Sequence, residues 1–136
     1  MVRKAAPRRP SETKLIDEMK KDAPVLACAF YMSENDTEPV REWLKSLPKV
    51  VRHKVGTDVD AVQRRWPVGP PLVDGFGSGL YEVRTKFDGN IYRVMFCIMR
   101  STMVLLHGFQ KKTPRTQTQD IDLARKRQAQ VKEALS

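Results

Sequence analysis

The sequence has little cysteine and little histidine, with two of each among its 136 residues. Cys28 and Cys97 both lie in apolar, strand-like runs, so each is expected to be a small buried hydrophobic residue rather than half of a disulfide or a metal ligand. The sequence has no HExxH motif and no Cys/His cluster of the zinc-binding kind. Neither a metal nor another cofactor is therefore expected.

Long apolar runs are also missing. No stretch of 18 or more apolar residues occurs, which argues against a membrane span. The first residues, MVRKAAPRRPS, are basic but lack the apolar segment of a secretory signal, so a cytoplasmic location is expected. The run GFGSG precedes a predicted strand rather than joining a strand to a helix, which argues against a phosphate-binding P-loop.

Basic residues are abundant. Lysine and arginine total 25 against 16 acidic residues, giving a net charge of +9, and the pI is near 9.8. This balance indicates a polyanionic partner, namely RNA, DNA or an acidic protein. The alternative is a soluble basic protein whose charge has no such role. The apolar content of 40% is enough for a folded core.

The chain divides into a basic N-terminal extension, residues 1–23, and one domain, residues 24–136. Within the extension, SETKLIDEMKKD is compatible with a short helix. The domain begins with VLACAFYM, which predicts a strand that could be buried on both faces. An amphipathic helix follows Pro39 and ends at Pro48, and a second carries the apolar stripe Val51, Val55, Val59, Val62 and Trp66. The Gly/Pro-rich run from Trp66 to Gly79 is predicted to be a long connection.

A β-hairpin is predicted at Asp88-Gly89, because both central positions of a tight two-residue turn favour positive φ. The resulting register places Arg84 directly opposite Arg93. Like charges facing each other across a sheet are unfavourable, so this pair suggests a functional face. The opposite face is predicted to be apolar, with the pairs Phe87–Asn90, Thr85–Tyr92, Val83–Val94 and Tyr81–Phe96.

The third strand of the meander, Met103 to Phe109, has an ambiguous register. A three-residue loop would place His107 opposite Arg93, whereas a two-residue loop at Arg100-Ser101 would place Gly108 there and turn His107 to the other face. After a basic loop, Thr116 to Gln119 form a capping box for a C-terminal helix.

These elements predict an α+β domain. Its four-stranded, mainly antiparallel sheet has a helical hairpin inserted after the first strand and a helix at the C-terminus.

The basic face suggests a phosphate site. Arg84 and Arg93 would form a pair of guanidinium groups on rigid strands, and Lys111, Lys112 and Arg115 follow the third strand just before a helix N-terminus. Lys86, Arg64 and Arg65 are further candidates for RNA contacts. The alternative is that these long side chains simply cover the sheet with their aliphatic stems.

His107 is either a general acid or base beside these cations or a half-buried histidine with a structural role. RNA cleavage would suit such a site, because the substrate's 2′-hydroxyl attacks the adjacent phosphate. The protein then has to supply cations and move protons.

The runs EPVREWLKSLP, WPVGPPLV, LYEVR, IYRVMFCI, VLLHGFQKKT and DIDLARKR resemble the HigB-like, phage-derived branch of the RelE toxin superfamily. The resemblance extends from about Val25 to Leu135. It implies a RelE-like α+β fold for residues 24–136 and a type II toxin that cleaves mRNA, often on the ribosome. It also implies a helix-turn-helix, HigA-like antitoxin as partner.

By the same resemblance, Arg84 and Arg93 match basic strand positions of the family, and Lys112 or Lys111 matches the basic residue after the last strand. The tyrosine that some relatives carry early in the last helix has no counterpart here, where Thr116 or Thr118 stands instead. His107 is therefore a candidate for the missing base.

Two other classes of function remain open. One is a non-catalytic basic module that binds RNA or the ribosome, and the other is a DNA-binding regulator. The regulator is less favoured, because no helix-turn-helix pair with a basic recognition helix is apparent.

Overall fold

The computed structural model describes residues 24–111, residue 116 and residues 118–135. The predicted extension of residues 1–23 lies outside the described residues. Within them the elements are β1 (Ala27–Phe30), α1 (Pro39–Ser46), α2 (Lys49–Arg65), β2 (Val73–Gly75), β3 (Leu80–Phe87), β4 (Asn90–Met99), β5 (Thr102–Lys111) and α3 (Thr118–Leu135).

The described strands form one mixed sheet in the order β1-β5-β4-β3-β2. β1 pairs with β5 in parallel, and the other three pairings are antiparallel. The predicted α+β class is confirmed, but the predicted number of four strands is wrong, since the described part of the chain has five. The additional strand, β2, lies within the Gly/Pro-rich connection and pairs Val73 with Val83 at the edge of the sheet.

The hairpin between β3 and β4 has the predicted turn and register. Asp88 and Gly89 have φ of 50° and 77°, and Arg84 lies opposite Arg93. Both central residues of this turn occupy the left-handed region, as a type I′ turn requires. All four predicted pairs of the apolar face are present as well.

The position of His107 follows neither predicted alternative. The loop between β4 and β5 is the two-residue one, with Met99 opposite Thr102, but a β-bulge shifts the register between Met95 and Phe96. As a result His107 faces Met95, and Phe109 rather than Gly108 lies opposite Arg93. A bulge adds one residue to one strand only, and so it returns His107 to the face that carries Arg93.

The sheet separates two apolar cores. The helical hairpin α1–α2 covers one face, where the predicted α2 stripe of Val51, Val55, Val59 and Val62 is buried against Val83, Val94 and Phe96. α3 packs on the other face, where Ala124 is buried among Leu80, Met95 and Leu106. Helices therefore cover both faces, and the arginine-bearing face is the one that α3 partly covers.

β1 differs from its prediction. Ala27, Cys28 and Ala29 are exposed, because β1 is an edge strand and not the doubly buried strand expected from its apolar run. Cys28 was expected to be buried and is not, whereas Cys97 is buried as predicted; both thiols are free. Among the described residues, no helix has the length and apolarity needed to cross a bilayer.

Candidate active site

The face of the sheet beneath the start of α3 carries three rows of side chains that run across β3, β4 and β5. Alternation along each strand and the observed pairings give the rows Lys86–Ile91–Lys111, Arg84–Arg93–Phe109 and Glu82–Met95–His107. Because neighbouring strands lie about 4.8 Å apart, the backbones of Lys86 and Lys111 are roughly 10 Å apart. The predicted basic residues of β3 and β5 therefore flank one patch, which we call the catalytic face because it is the candidate site of catalysis.

Arg93 lies in the interior of this face. Its side chain and that of Glu82 are both 0% exposed, and they form an ion pair. The Arg93 guanidinium also donates to the Thr116 hydroxyl at 3.0 Å, and that hydroxyl donates to Glu82 at 2.6 Å. Thr116 stands just before α3, so the buried triad Glu82–Arg93–Thr116 fixes the start of this helix against the sheet.

Arg84 is the more accessible arginine of the predicted pair, with 27% of its side chain exposed. Its guanidinium lies 3.0 Å from the carboxylate of Asp74 on β2 and 3.4 Å from that of Glu82. The two facing arginines are therefore tolerated because carboxylates from β2 and β3 neutralise them. The position of Glu82 beside the arginines in β3 predicts such a salt bridge, whereas the contribution of Asp74 from β2 does not follow from the sequence.

His107 and Asp120 form a hydrogen-bonded pair. His107 Nε2 lies 2.9 Å from Asp120 Oδ1, and the two side chains are only 15% and 12% exposed. Lys111 Nζ lies 3.8 Å from the other oxygen of the same carboxylate. The imidazole also stacks on the Phe109 ring, with centroids 4.9 Å apart, so its plane is fixed by two neighbours.

Burial lowers the pKa of His107 below its ordinary value of 6.5. The Asp120 carboxylate opposes this shift by stabilising the imidazolium, whereas the positive charges of Arg127 and Lys111 reinforce it. The ring is therefore mainly neutral at pH 7. In the neutral ring Nε2–H donates to Asp120, and the Nδ1 lone pair is left to accept a proton.

Arg127 links α3 to the bulge that positions His107. Its guanidinium donates to the backbone carbonyl of Leu106 at 2.8 Å. Leu106 is the extra residue of the β-bulge, and such a residue is left without a partner in the strand ladder. The contact therefore satisfies a carbonyl that the bulge releases next to the proposed base.

The remaining predicted RNA-binding residues are dispersed. Lys86 is exposed on the catalytic face. Arg64 and Arg65 are exposed at the last residues of α2, where Arg64 pairs with Asp60 at 2.9 Å. Lys112 and Arg115 lie outside the described residues, as does Gln117 of the predicted capping box.

Asp120 is the main site residue that the sequence analysis missed. It lies in the first turn of α3, where the helix dipole favours a carboxylate, and it is buried despite its charge. The available signal was an acidic residue at a helix start, thirteen positions after the only histidine of the predicted sheet. The described residues contain no group of three or more His, Cys, Asp or Glu side chains that could hold a metal ion.

A family model described as "Phage derived protein Gp49-like (DUF891)" matches residues 42–129, which is more than half of the chain. The chain belongs to the Gp49-like family. The matched range contains β2 to β5 and all the side chains of the catalytic face described above. The Gp49-like family is a phage-derived, toxin-like family of the RelE toxin–antitoxin type. No curated protein matches the chain.

Proposed function

We propose that this Gp49-like protein is the toxin of a type II toxin–antitoxin pair. It would be an endoribonuclease that cleaves mRNA on the ribosome, in the cytoplasm. The observation that carries this proposal is the His107–Asp120 pair beside Lys111 on the catalytic face. Membership of a toxin-like family supports the same conclusion. The HigB-like branch suggested by the sequence motifs is part of this proposal.

The proposed reaction begins with proton abstraction by His107. The Nδ1 atom accepts the proton of the RNA 2′-hydroxyl, whose oxygen then bonds to the adjacent phosphorus. Asp120 accepts the hydrogen bond from Nε2–H, which selects this tautomer and stabilises the imidazolium that forms. This arrangement supplies a base where the tyrosine of some RelE relatives is absent.

The cations of the catalytic face would stabilise the pentavalent phosphate. Lys111 and Lys86 flank the face, and Arg84 is partly exposed beside them. As the P–O5′ bond breaks, the departing oxygen takes a proton from an ammonium group, for which Lys111 and the neighbouring Lys112 are the candidates. The products are a 2′,3′-cyclic phosphate and a 5′-hydroxyl.

Arg93 has a positioning role in the proposed mechanism. Its guanidinium bonds Glu82 and Thr116 below the surface, so it holds the start of α3 and thereby Asp120 against β5. We therefore assign direct phosphate contact to Arg84, Lys86 and Lys111 rather than to Arg93.

Histidine replacement tests the proposal, because the chain has only two histidines. His107→Ala should lower RNA cleavage by about 10²- to 10⁴-fold, the usual contribution of a general base. His53→Ala is the matched control, since His53 is exposed on α2, and it should cleave like the wild type. The measurement is the mapping of new RNA 5′ ends after expression in cells without antitoxin.

The outcomes separate the enzyme from a non-catalytic RNA-binding module. New 5′ ends with the wild type and His53→Ala, but not with folded His107→Ala, support the endoribonuclease. Growth arrest without any new 5′ ends would contradict cleavage and favour a protein that blocks the ribosome by binding. Cleavage by His107→Ala at the wild-type level would show that His107 is not the base.

The proposed protein partner is a helix-turn-helix, HigA-like antitoxin. A neighbouring reading frame that encodes such a protein, and whose product abolishes growth arrest when co-expressed, would support the pairing. A neighbour whose co-expression leaves growth arrest unchanged would contradict it.

A further inference from the structure

A second cationic site lies beside the catalytic face, at the edge of the sheet where β3 extends past the start of β2. A cavity of about 220 Å³ opens there between α2 and β3. Its lining consists of Lys54 and Asp58 from α2, Pro71 and Leu72 from the connection, and Arg84 and Lys86 from β3. We propose that this cavity, called the edge pocket, holds the nucleotide adjacent to the scissile phosphate of a single-stranded RNA.

The charge of the edge pocket favours a phosphate. Three cations line it; Lys54 pairs with Asp58 at 3.3 Å and Arg84 with Asp74 at 3.0 Å, which leaves Lys86 as the cation that a ligand would neutralise. Lys86 is exposed, and no carboxylate of the described residues forms an ion pair with it. A phosphate would give Lys86 a counter-charge and would lie in the cavity that Lys54 of α2 also lines.

The volume and the apolar lining residues of the edge pocket favour a nucleotide over a bare anion. Pro71 and Leu72 give the cavity an apolar surface against which a ribose or a base can pack. A volume of about 220 Å³ is below the usual range for drug-sized ligands and fits one nucleotide unit. The charged and the apolar residues of its lining match the two parts of that unit.

The edge pocket is continuous with the catalytic face through two shared residues. Arg84 and Lys86 line the pocket and also belong to the rows that contain Arg93 and Lys111. An RNA strand whose scissile phosphate lies over the catalytic face can therefore pass along β3 and place its next nucleotide in the pocket. This inference rests on the proposed function for the identity of the strand, but it concerns binding and not cleavage.

The test measures binding of a fluorescent single-stranded RNA with 2′-O-methyl groups, which cannot be cleaved because the attacking hydroxyl is blocked. Lys54→Ala and Lys86→Ala should each weaken binding by about threefold to tenfold and lower the slope of log K against log salt by about 0.7, the value for one phosphate contact to a single strand. Lys45→Ala is the matched control. Lys45 is 60% exposed on α1, which packs near the opposite edge of the sheet, and its loss should change neither quantity.

Both lysine variants are surface substitutions and should fold, which the urea midpoint of each verifies. Wild-type-like affinity and slope for folded Lys54→Ala and Lys86→Ala would overturn the edge pocket, and so would absence of any RNA binding by the wild type. Failure of the proposed function gives a different pattern, in which RNA binding depends on Lys54 and Lys86 but no RNA is cut. Cleavage that depends on His107, with binding that is unchanged in both lysine variants, would support the proposed enzyme and overturn the edge pocket.

Discussion

At the scale of single residues, Arg93 shows how burial changes the meaning of a charged side chain. The sequence places it beside Arg84 on a strand, and the two appear equivalent there. In the fold Arg93 is 0% exposed and paired with Glu82, whereas Arg84 keeps 27% exposure. Removing one partner of a buried ion pair leaves the other charge without compensation, and so the two arginines should differ in their effects on stability.

Arg93→Ala should lower the free energy of unfolding by about 3–5 kcal/mol, because it removes the buried counter-ion of Glu82 and leaves that carboxylate with the longer 3.4 Å ion pair to Arg84. Arg84→Ala should cost no more than about 1 kcal/mol, since the Arg84–Asp74 pair is partly exposed and Glu82 keeps its buried bond to Arg93. Urea denaturation of the two variants measures both values. Equal losses would contradict the buried pair. Loss of toxicity in Arg93→Ala therefore cannot by itself assign phosphate binding to this residue.

The proposed cleavage should depend on pH through His107. A base acts in its neutral form, and the pKa of His107 is lowered below 6.5, so the rate should be constant near pH 7 and fall only below pH 6.5. Asp120 raises this pKa, so Asp120→Asn should move the acid limb to still lower pH and reduce the plateau rate. The measurement is single-turnover cleavage from pH 4.5 to 8. Asp122→Asn, an exposed change in the same helix, is the control, and an identical shift in both would contradict the pair.

At the scale of elements, the approach of α1 to β5 depends on one glycine. A Cβ at Gly108 would lie 2.3 to 2.8 Å from three ring atoms of Trp43, which is closer than any ordinary contact. Trp43 belongs to α1, so the absence of a side chain at Gly108 lets the indole pack directly on the strand. Gly108 neighbours His107, so this contact also supports the strand segment that carries the proposed base.

Replacing two different glycines by alanine should have opposite effects. Gly108→Ala should lower the free energy of unfolding by about 1–3 kcal/mol, because the added methyl group overlaps Trp43. Gly56→Ala should raise it by about 0.4–1 kcal/mol, because Gly56 is exposed within α2 and nothing lies within 4 Å of the new Cβ. Urea midpoints of the two variants test this. A loss of stability in both would show that the Trp43 contact is not the cause.

The hairpins show which parts of the fold were predictable. The Asp88-Gly89 turn fixes the β3–β4 register through local backbone preferences, and all its pairs followed from the sequence. The bulge in β5 depends on Arg127, which lies 21 positions after Leu106 and satisfies its carbonyl. β2 depends on backbone pairing at an edge and has only three residues. Local chemistry therefore predicted the hairpin, and tertiary contacts decided the bulge and β2.

The candidate site was predictable to a similar extent. The cations of β3 and β5 were found because alternation places them on one face. Three carboxylates decide which of the basic groups are neutralised: Glu82 pairs with Arg93, Asp74 with Arg84 and Asp120 with His107. Asp74 and Asp120 come from elements outside the hairpin. A pattern of basic residues does not reveal which of them are neutralised, since that depends on how separate elements meet. The sequence thus indicated where the site lies, but it did not identify Asp120 as the partner of His107.

At the scale of the whole molecule, α3 joins the second core to the catalytic face. Ala124 is 0% exposed in that core and lies one turn after Asp120, so whatever displaces this part of the helix also displaces the carboxylate from His107.

Ala124→Leu should lower the free energy of unfolding by about 1–3 kcal/mol through overpacking and should reduce cleavage even in the folded protein. Ala129→Leu adds the same volume at an exposed position of α3 and should change stability by no more than about 0.5 kcal/mol. Urea denaturation and cleavage assays below the unfolding transition compare the two. Full activity in a destabilised Ala124→Leu would show that docking of α3 and assembly of the site are independent.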